Sequence, residues 1–186
     1  MPNREPGWRG GGLAALLALA LVAGTPAAAP AQGALERNAH VRLMARIAEP
    51  GAQLAPFKTD GCSGGMSEVW TFVSDALPAF ARVHGGAPPW EDCCVVHDRA
   101  YHDAGGAHDA GASFAARRAA DRELRACVRA AVEGREQALA ESYGLGPEAV
   151  RTAYDLIAAA MYRAVRAGGG PCSGLPWRWG YGWPNC

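Results

Sequence analysis

The chain has 186 residues and a formal net charge of zero, with 18 Lys plus Arg balanced by 18 Asp plus Glu. There is no basic excess and no sustained basic run, and Lys58 is the only lysine, so nothing marks a nucleic-acid partner. Nearly half of the residues are hydrophobic, enough to build a real core in one domain.

At the N-terminus, Arg4 and Arg9 precede an apolar run from Gly12 to Ala23, and Ala29-Pro30-Ala31 fits a small-x-small cleavage site. The run is shorter than the roughly 20 apolar residues a spanning helix needs. Residues 1–31 are therefore expected to be a cleaved signal peptide, leaving 32–186 as a single exported domain, secreted or periplasmic. Export makes the six cysteines, Cys62, Cys93, Cys94, Cys127, Cys172 and Cys186, read as disulfides rather than thiols. Spacing alone does not choose among the possible pairings.

Ala34 to Ala48 reads as an amphipathic helix carrying Leu35, Val41, Met44 and Ile47, ended by Pro50-Gly51. A loop runs from Pro56 to Gly65. Ser67 is placed to cap a helix through Val69, Trp70, Phe72, Val73 and Leu77, which Pro78 breaks or kinks. Gly85-Gly86-Ala87-Pro88-Pro89 is a clear breaker. The helix that follows, from Trp90 to its stop at Gly105-Gly106, carries the strongest pattern in the chain. At 3.6 residues per turn, Trp90, Cys93, Cys94, His97 and Tyr101 share one face, with Asp98 at its edge and Arg99 and Asp103 turned away. Neighbouring Cys93 and Cys94 point in different directions, which suits two bridges better than a zinc site with His97. On this helix alone a satisfied core histidine is the plainer reading.

The next helix, Ser113 to Glu133, has the stripe Phe114, Leu124, Val128 and Ala131, and Asp121 falls on it. A buried acid needs a partner. Either His97 supplies it, or Arg117, Arg118 and Arg125 do so at helical spacing on a solvated face. The absence of another acid for His97 favours the first. Gly144-Leu145-Gly146-Pro147 then separates a last helix, Glu148 to Arg166, whose stripe Val150, Tyr154, Ile157, Met161 and Val165 is ordinary core. From about residue 168 the chain is a Gly- and aromatic-rich tail. Its Trp177, Trp179, Tyr181 and Trp183 suit either a membrane-interface anchor or a cover for the core. His108-Asp109 reads as solvated, and His40, His84 and His102 carry no functional signal. No strand run and no repeat is present, so the fold class is all-α.

Two readings compete for the loop Lys58-Thr59-Asp60-Gly61-Cys62-Ser63-Gly64-Gly65. Glycine-rich backbone can turn carbonyl oxygens toward a hard cation beside a carboxylate, although a plain Asp-Gly turn fits as well. Gly61-Cys62-Ser63-Gly64-Gly65 also matches the G-x-S-x-G nucleophile elbow. That elbow needs a strand before it, and Leu54 to Lys58 is a poor one. The acid there precedes the histidine, whereas His97 precedes Asp121.

Taken together, Cys93-Cys94-x-x-His97-Asp98-x-x-Tyr101 resembles the active-site helix of the secreted phospholipases A2. Thr59-Asp60-Gly61-Cys62-Ser63 is similar to the segment ahead of that helix in the short bacterial and fungal members. Asp121 matches the acid that orients the histidine, and Cys127 follows it by six residues, as a cysteine does in the animal enzymes. The resemblance covers roughly Asp60 to Cys127. It implies a disulfide-stapled phospholipase A2-like helical domain with two antiparallel active-site helices and little or no β structure. It implies the bridges Cys62–Cys94 and Cys93–Cys127, which leaves Cys172–Cys186. It implies Ca2+ on Asp60, the Gly61 carbonyl and Asp98, and calcium-dependent hydrolysis of the sn-2 ester of phospholipids.

In that scheme His97 takes a proton from the attacking water, Asp121 holds its other ring nitrogen, and Tyr101 bonds to the acid. The partner is a phospholipid membrane surface, and a monomer is expected. The chain departs from the pattern in three places: a long stretch between Cys62 and Cys94 with room for an inserted helix, a loop with fewer obvious ligands, and Ala100 where a cysteine usually precedes the family tyrosine. Two rival functions stay open: a catalytically silent lipid-binding or toxin-like module on the same scaffold, and a serine esterase using Ser63.

Overall fold

A computed structural model describes residues 29–62 and 66–186. Most of the expected signal peptide, and Ser63 with its two following glycines, lie outside the described residues. Among the described residues there are seven α-helices and no strand: α1 Ala29–Ile47, α2 Met66–Ala76, α3 Pro78–His84, α4 Glu91–His102, α5 Ala110–Ala130, α6 Glu136–Tyr143 and α7 Pro147–Gly168. A 3-10 turn, Ala104–Gly106, links α4 to α5.

Local chemistry sets several of these limits. Pro78 and Pro147 stand in the first turns of α3 and α7, where a missing N–H costs nothing. Leu77 leaves helical geometry, with φ −126° and ψ 87°, so Pro78 starts a new helix rather than kinking the old one. Asp109 caps α5 by accepting from the Ala112 N–H at 2.8 Å, which starts that helix ahead of Ser113. Ser67 does not cap α2. It lies inside the helix, and its Oγ accepts from the Cys62 N–H at 2.9 Å, tying the preceding loop to α2.

α5 is the central helix and packs against α1, α4 and α7. α4 runs antiparallel to it. Cys93 near the start of α4 is bonded to Cys127 near the end of α5, while Gly105, past the end of α4, meets Ala116 early in α5. One core gathers Trp90, Cys93, Leu124, Val128, Leu139 and Tyr154. A second gathers Leu43, Tyr101, Ala104, Ala120 and Trp179.

Half of the expected α1 stripe faces inward: Met44 and Ile47 pack against the second core. Leu35 and Val41 are 70% and 56% exposed, and the buried residues are Ala39, His40 and Leu43. The cause is polar: Glu36 and His40 turn toward α5, where Arg117 and Ser113 meet them. On α2, Val69 and Phe72 are likewise exposed.

The tail is largely a cover for the core. Trp179 is fully buried, donates its indole N–H to Ser113 Oγ at 2.9 Å and meets the Tyr101 ring edge-on. The N–H groups of Gly180 and Gly182 donate to the last carbonyls of α4, those of Tyr101 and His102. Gly180, at φ +75°, is required there, since a Cβ would stand 2.9 Å from Leu43 Cδ2. An anchoring role therefore excludes Trp179; Trp177 is the tail indole left exposed.

The bridges are Cys62–Cys94, Cys93–Cys127 and Cys172–Cys186, the pairing that the resemblance implied. Three disulfides belong to an oxidising compartment. Among the described residues no helix is long and apolar enough to cross a membrane.

Candidate active site

The inward face of α4 meets α5 at a buried acid. Asp121 is fully buried. Its Oδ1 accepts from His97 Nε2 at 2.9 Å and from the Tyr101 hydroxyl at 2.7 Å. Its Oδ2 accepts from Arg166 Nη1, on α7, at 2.8 Å. Arg117, four residues earlier on α5 and only 1% exposed, donates from Nε to the Tyr101 oxygen at 3.1 Å and lies 4.0 Å from Oδ2.

Electrostatics fix the protonation of this group. Burial pushes the Asp121 carboxyl up, but hydrogen bonds from His97, Arg166 and Tyr101 and the charge of Arg117 outweigh it and hold the acid below its usual range. Burial, with the Asp121 charge alongside, raises the Tyr101 phenol well above its usual value despite Arg117, so it stays a donor. Since the ionised Asp121 can only accept, the hydrogen-bond network assigns the His97 proton to Nε2. Nδ1 is then the basic nitrogen.

His97 lines a mostly apolar cavity of about 110 Å³, walled by Met66, Leu124, Met161, Val165, Trp177 and the Cys62–Cys94 bridge. Asp98 lines the same cavity. That places a base, a second carboxylate and an apolar wall around one small space.

The loop before α2 reaches Asp98. Thr59 Oγ1 donates to Asp98 Oδ2 at 2.6 Å and accepts from the Gly61 N–H at 3.1 Å. Tyr181, from the tail, donates its hydroxyl to the Lys58 carbonyl at 2.6 Å. Its phenol is raised by burial and then by the charges of Asp98 and Asp60. Gly61 has φ +75°, and a Cβ there would stand 2.5 Å from Glu91 Oε1. Carboxylate and carbonyl oxygens are the donors a hard cation such as Ca2+ takes, and on that chemistry Asp60, Gly61 and Asp98 fit it. Among the described residues no three His, Cys, Asp or Glu side chains are grouped so as to hold a metal ion.

Both partners weighed for Asp121 meet it. His97 bonds to it and Arg117 approaches it, while Arg118 and Arg125 lie over the rings of Phe114 and Tyr162. Arg166 and Glu36 carried no signal in the sequence. Glu36 on α1 pairs with both Arg117 and Arg166. His40 is buried as a structural residue, bonded to Ser113 at 2.8 Å, and His102 donates from Nε2 to the Ala55 carbonyl at 2.8 Å.

Burial pushes the Glu36 carboxyl up, yet the His40 ring 3.8 Å away, a hydrogen bond from Arg166 and the charges of Arg117 and Arg166 bring it down from 4.5 to about 2. A folded-state value below the unfolded one stabilises the protein above the unfolded value, and that stability is lost as pH falls through the folded value. Stability is thus expected to drop between pH 4.5 and about 2. Urea titrations across that window should show a shallower fall for Glu36→Gln, and an unchanged slope would remove Glu36 from the acid response.

Comparisons with protein-family models, with curated proteins and with solved structures give no match to this chain.

Proposed function

We propose that the chain is a phospholipase A2-like hydrolase, dependent on calcium, that cleaves the sn-2 acyl ester of phospholipids with water activated by His97. The observation that carries this reading is the hydrogen bond from His97 Nε2 to a buried Asp121 that also holds Tyr101, at the wall of an apolar cavity shared with Asp98. The phospholipase A2-like fold belongs to the same proposal. So do secretion or periplasmic residence, action at a phospholipid surface, and a monomeric state.

The residues divide the work as follows. His97 Nδ1 takes a proton from water as the water oxygen attacks the ester carbonyl. Nε2–H stays on Asp121, whose charge offsets that of the imidazolium. The proton then passes from Nδ1 to the lysophospholipid oxygen as its bond to the acyl carbon breaks. Tyr101 keeps Asp121 in place by donating to it throughout. Met66, Leu124, Met161, Val165 and Trp177 offer the apolar walls an acyl chain needs. Asp60, the Gly61 carbonyl and Asp98 would hold Ca2+, which when bound supplies positive charge for the ester oxygen and the phosphate.

In this scheme no protein nucleophile is needed. The test is a pair of variants. Asp98→Asn is expected to lower fatty-acid release on the order of a hundredfold and to weaken calcium binding measured by calorimetry. Ser63→Ala is expected to leave release unchanged. The opposite pattern, loss in Ser63→Ala and indifference in Asp98→Asn, would transfer the chemistry to a serine nucleophile.

A further inference from the structure

We propose that Arg166 is a positioning residue for the His97–Asp121 pair, and that Glu36 of α1 holds it in that role. The inference deepens the function proposed above and rests on it. The geometry starts at the carboxylate. Asp121 Oδ1 is taken up by His97 and Tyr101, both on α4, so it senses one helix only. Oδ2 is buried, and Arg166 Nη1 at 2.8 Å is its close donor. Arg117 comes no nearer than 4.0 Å. Without Arg166 one oxygen of a buried carboxylate would lose its donor, and the carboxylate would be free to turn about its last bond. Such a turn moves Oδ1 and releases the imidazole from its tautomer and its aim.

Arg166 is itself held. Its Nη2 pairs with Glu36 Oε2, while Glu36 Oε1 pairs with Arg117. Arg117 then closes the ring by donating from Nη2 to the Val165 and Arg166 carbonyls at 2.7 and 3.2 Å, which fixes the end of α7 from which Arg166 springs. Two acids and two arginines from three helices thus form one neutral group around the catalytic acid. Buried charges are tolerated when every member is paired and hydrogen-bonded, as here. A bare packing role would need only apolar side chains at these positions. The network places a rigid, two-pronged cation where it reaches both Asp121 and Glu36.

The experiment uses the oxidised mature chain with Arg166→Gln, Arg166→Lys and Glu36→Gln. It reads kcat and KM for phospholipid release together with the His97 ring nitrogens in long-range 1H–15N spectra. For Arg166→Gln, kcat is expected to fall on the order of tenfold to a hundredfold, with KM within about twofold. The single Nε2–H tautomer of His97 should give way to a mixture. Arg166→Lys should recover part of both, and Glu36→Gln should show the same split more weakly. A variant that is merely less stable, with wild-type kcat per folded molecule and an unchanged tautomer, would overturn the proposal. If Arg166→Gln does not fold, Glu36→Gln decides on the same two readouts. The tautomer also separates this inference from the parent reading. In a chain without lipase activity, a mixed tautomer in Arg166→Gln still supports positioning by Arg166, and an unchanged one removes it.

Discussion

His97→Gln is expected to lower fatty-acid release about a thousandfold while leaving the protein folded. Glutamine is close to histidine in reach, and its amide N–H can still donate to Asp121 Oδ1, so the buried acid keeps its donors. What it lacks is a second ring nitrogen that can accept a proton from water. General-base catalysis contributes roughly two to four orders of magnitude, and all of that is withdrawn. The surroundings of position 97 argue for an intact fold. α4 is pinned at Cys93 and Cys94 by two bridges and strapped at its far end by Gly180 and Gly182. Steady-state release, with the melting temperature as a control, checks the prediction. A folded variant retaining a tenth of wild-type turnover would exclude His97 as the base.

The second large effect is on stability. Asp121→Ala is expected to cost about 3–5 kcal/mol and to abolish release as well. Breaking a buried ion pair by removing one partner leaves the other charge uncompensated, and that penalty dominates. Here the charges left behind are Arg117 and Arg166, with Glu36 alone to balance both. Tyr101 and His97 also lose their common acceptor. Asp121→Asn should destabilise less, because its one oxygen can still accept from both His97 and Tyr101, yet it should still lose turnover for want of the charge that offsets the imidazolium. Urea denaturation of the two variants measures the difference. Equal and small losses, below about 1 kcal/mol, would mean that the arginines do not depend on Asp121.

The parts of the site lying on one helix were legible in the sequence, because helical spacing places residues on a face without knowledge of the fold. Cys93, Cys94, His97 and Tyr101 are buried on α4, and Asp121 sits on the inward stripe of α5. The arginine network was not legible for the opposite reason. Glu36, Arg117 and Arg166 belong to three helices, and their pairing exists only once α1 and α7 dock on α5. Arg117 in particular broke the apolar stripe of α5, and a buried arginine looks like a solvated one until its partners are known.

The same limit applied to α1. A stripe drawn through Leu35 and Val41 follows hydrophobicity, while the helix rotates to bring Glu36 and His40 to their partners. α6 escaped the periodicity argument because one turn either side of Leu139 offers too few apolar residues to mark a face. In the tail, composition could not separate a buried indole from an exposed one. The contact of Trp179 with Tyr101 and Ser113 decides it, and that contact is tertiary.

Calcium-dependent sn-2 hydrolysis is decided by product analysis on mixed-chain phosphatidylcholine vesicles, with distinct acyl groups at sn-1 and sn-2. The oxidised protein is incubated in millimolar calcium, and in parallel with chelator. Release of the sn-2 fatty acid, matched one for one by the lysophospholipid, is expected in calcium, and none with chelator. Release that survives the chelator would contradict the calcium-dependent scheme. A folded protein that binds the vesicles and releases nothing would contradict the enzyme reading and leave a silent lipid-binding module in its place.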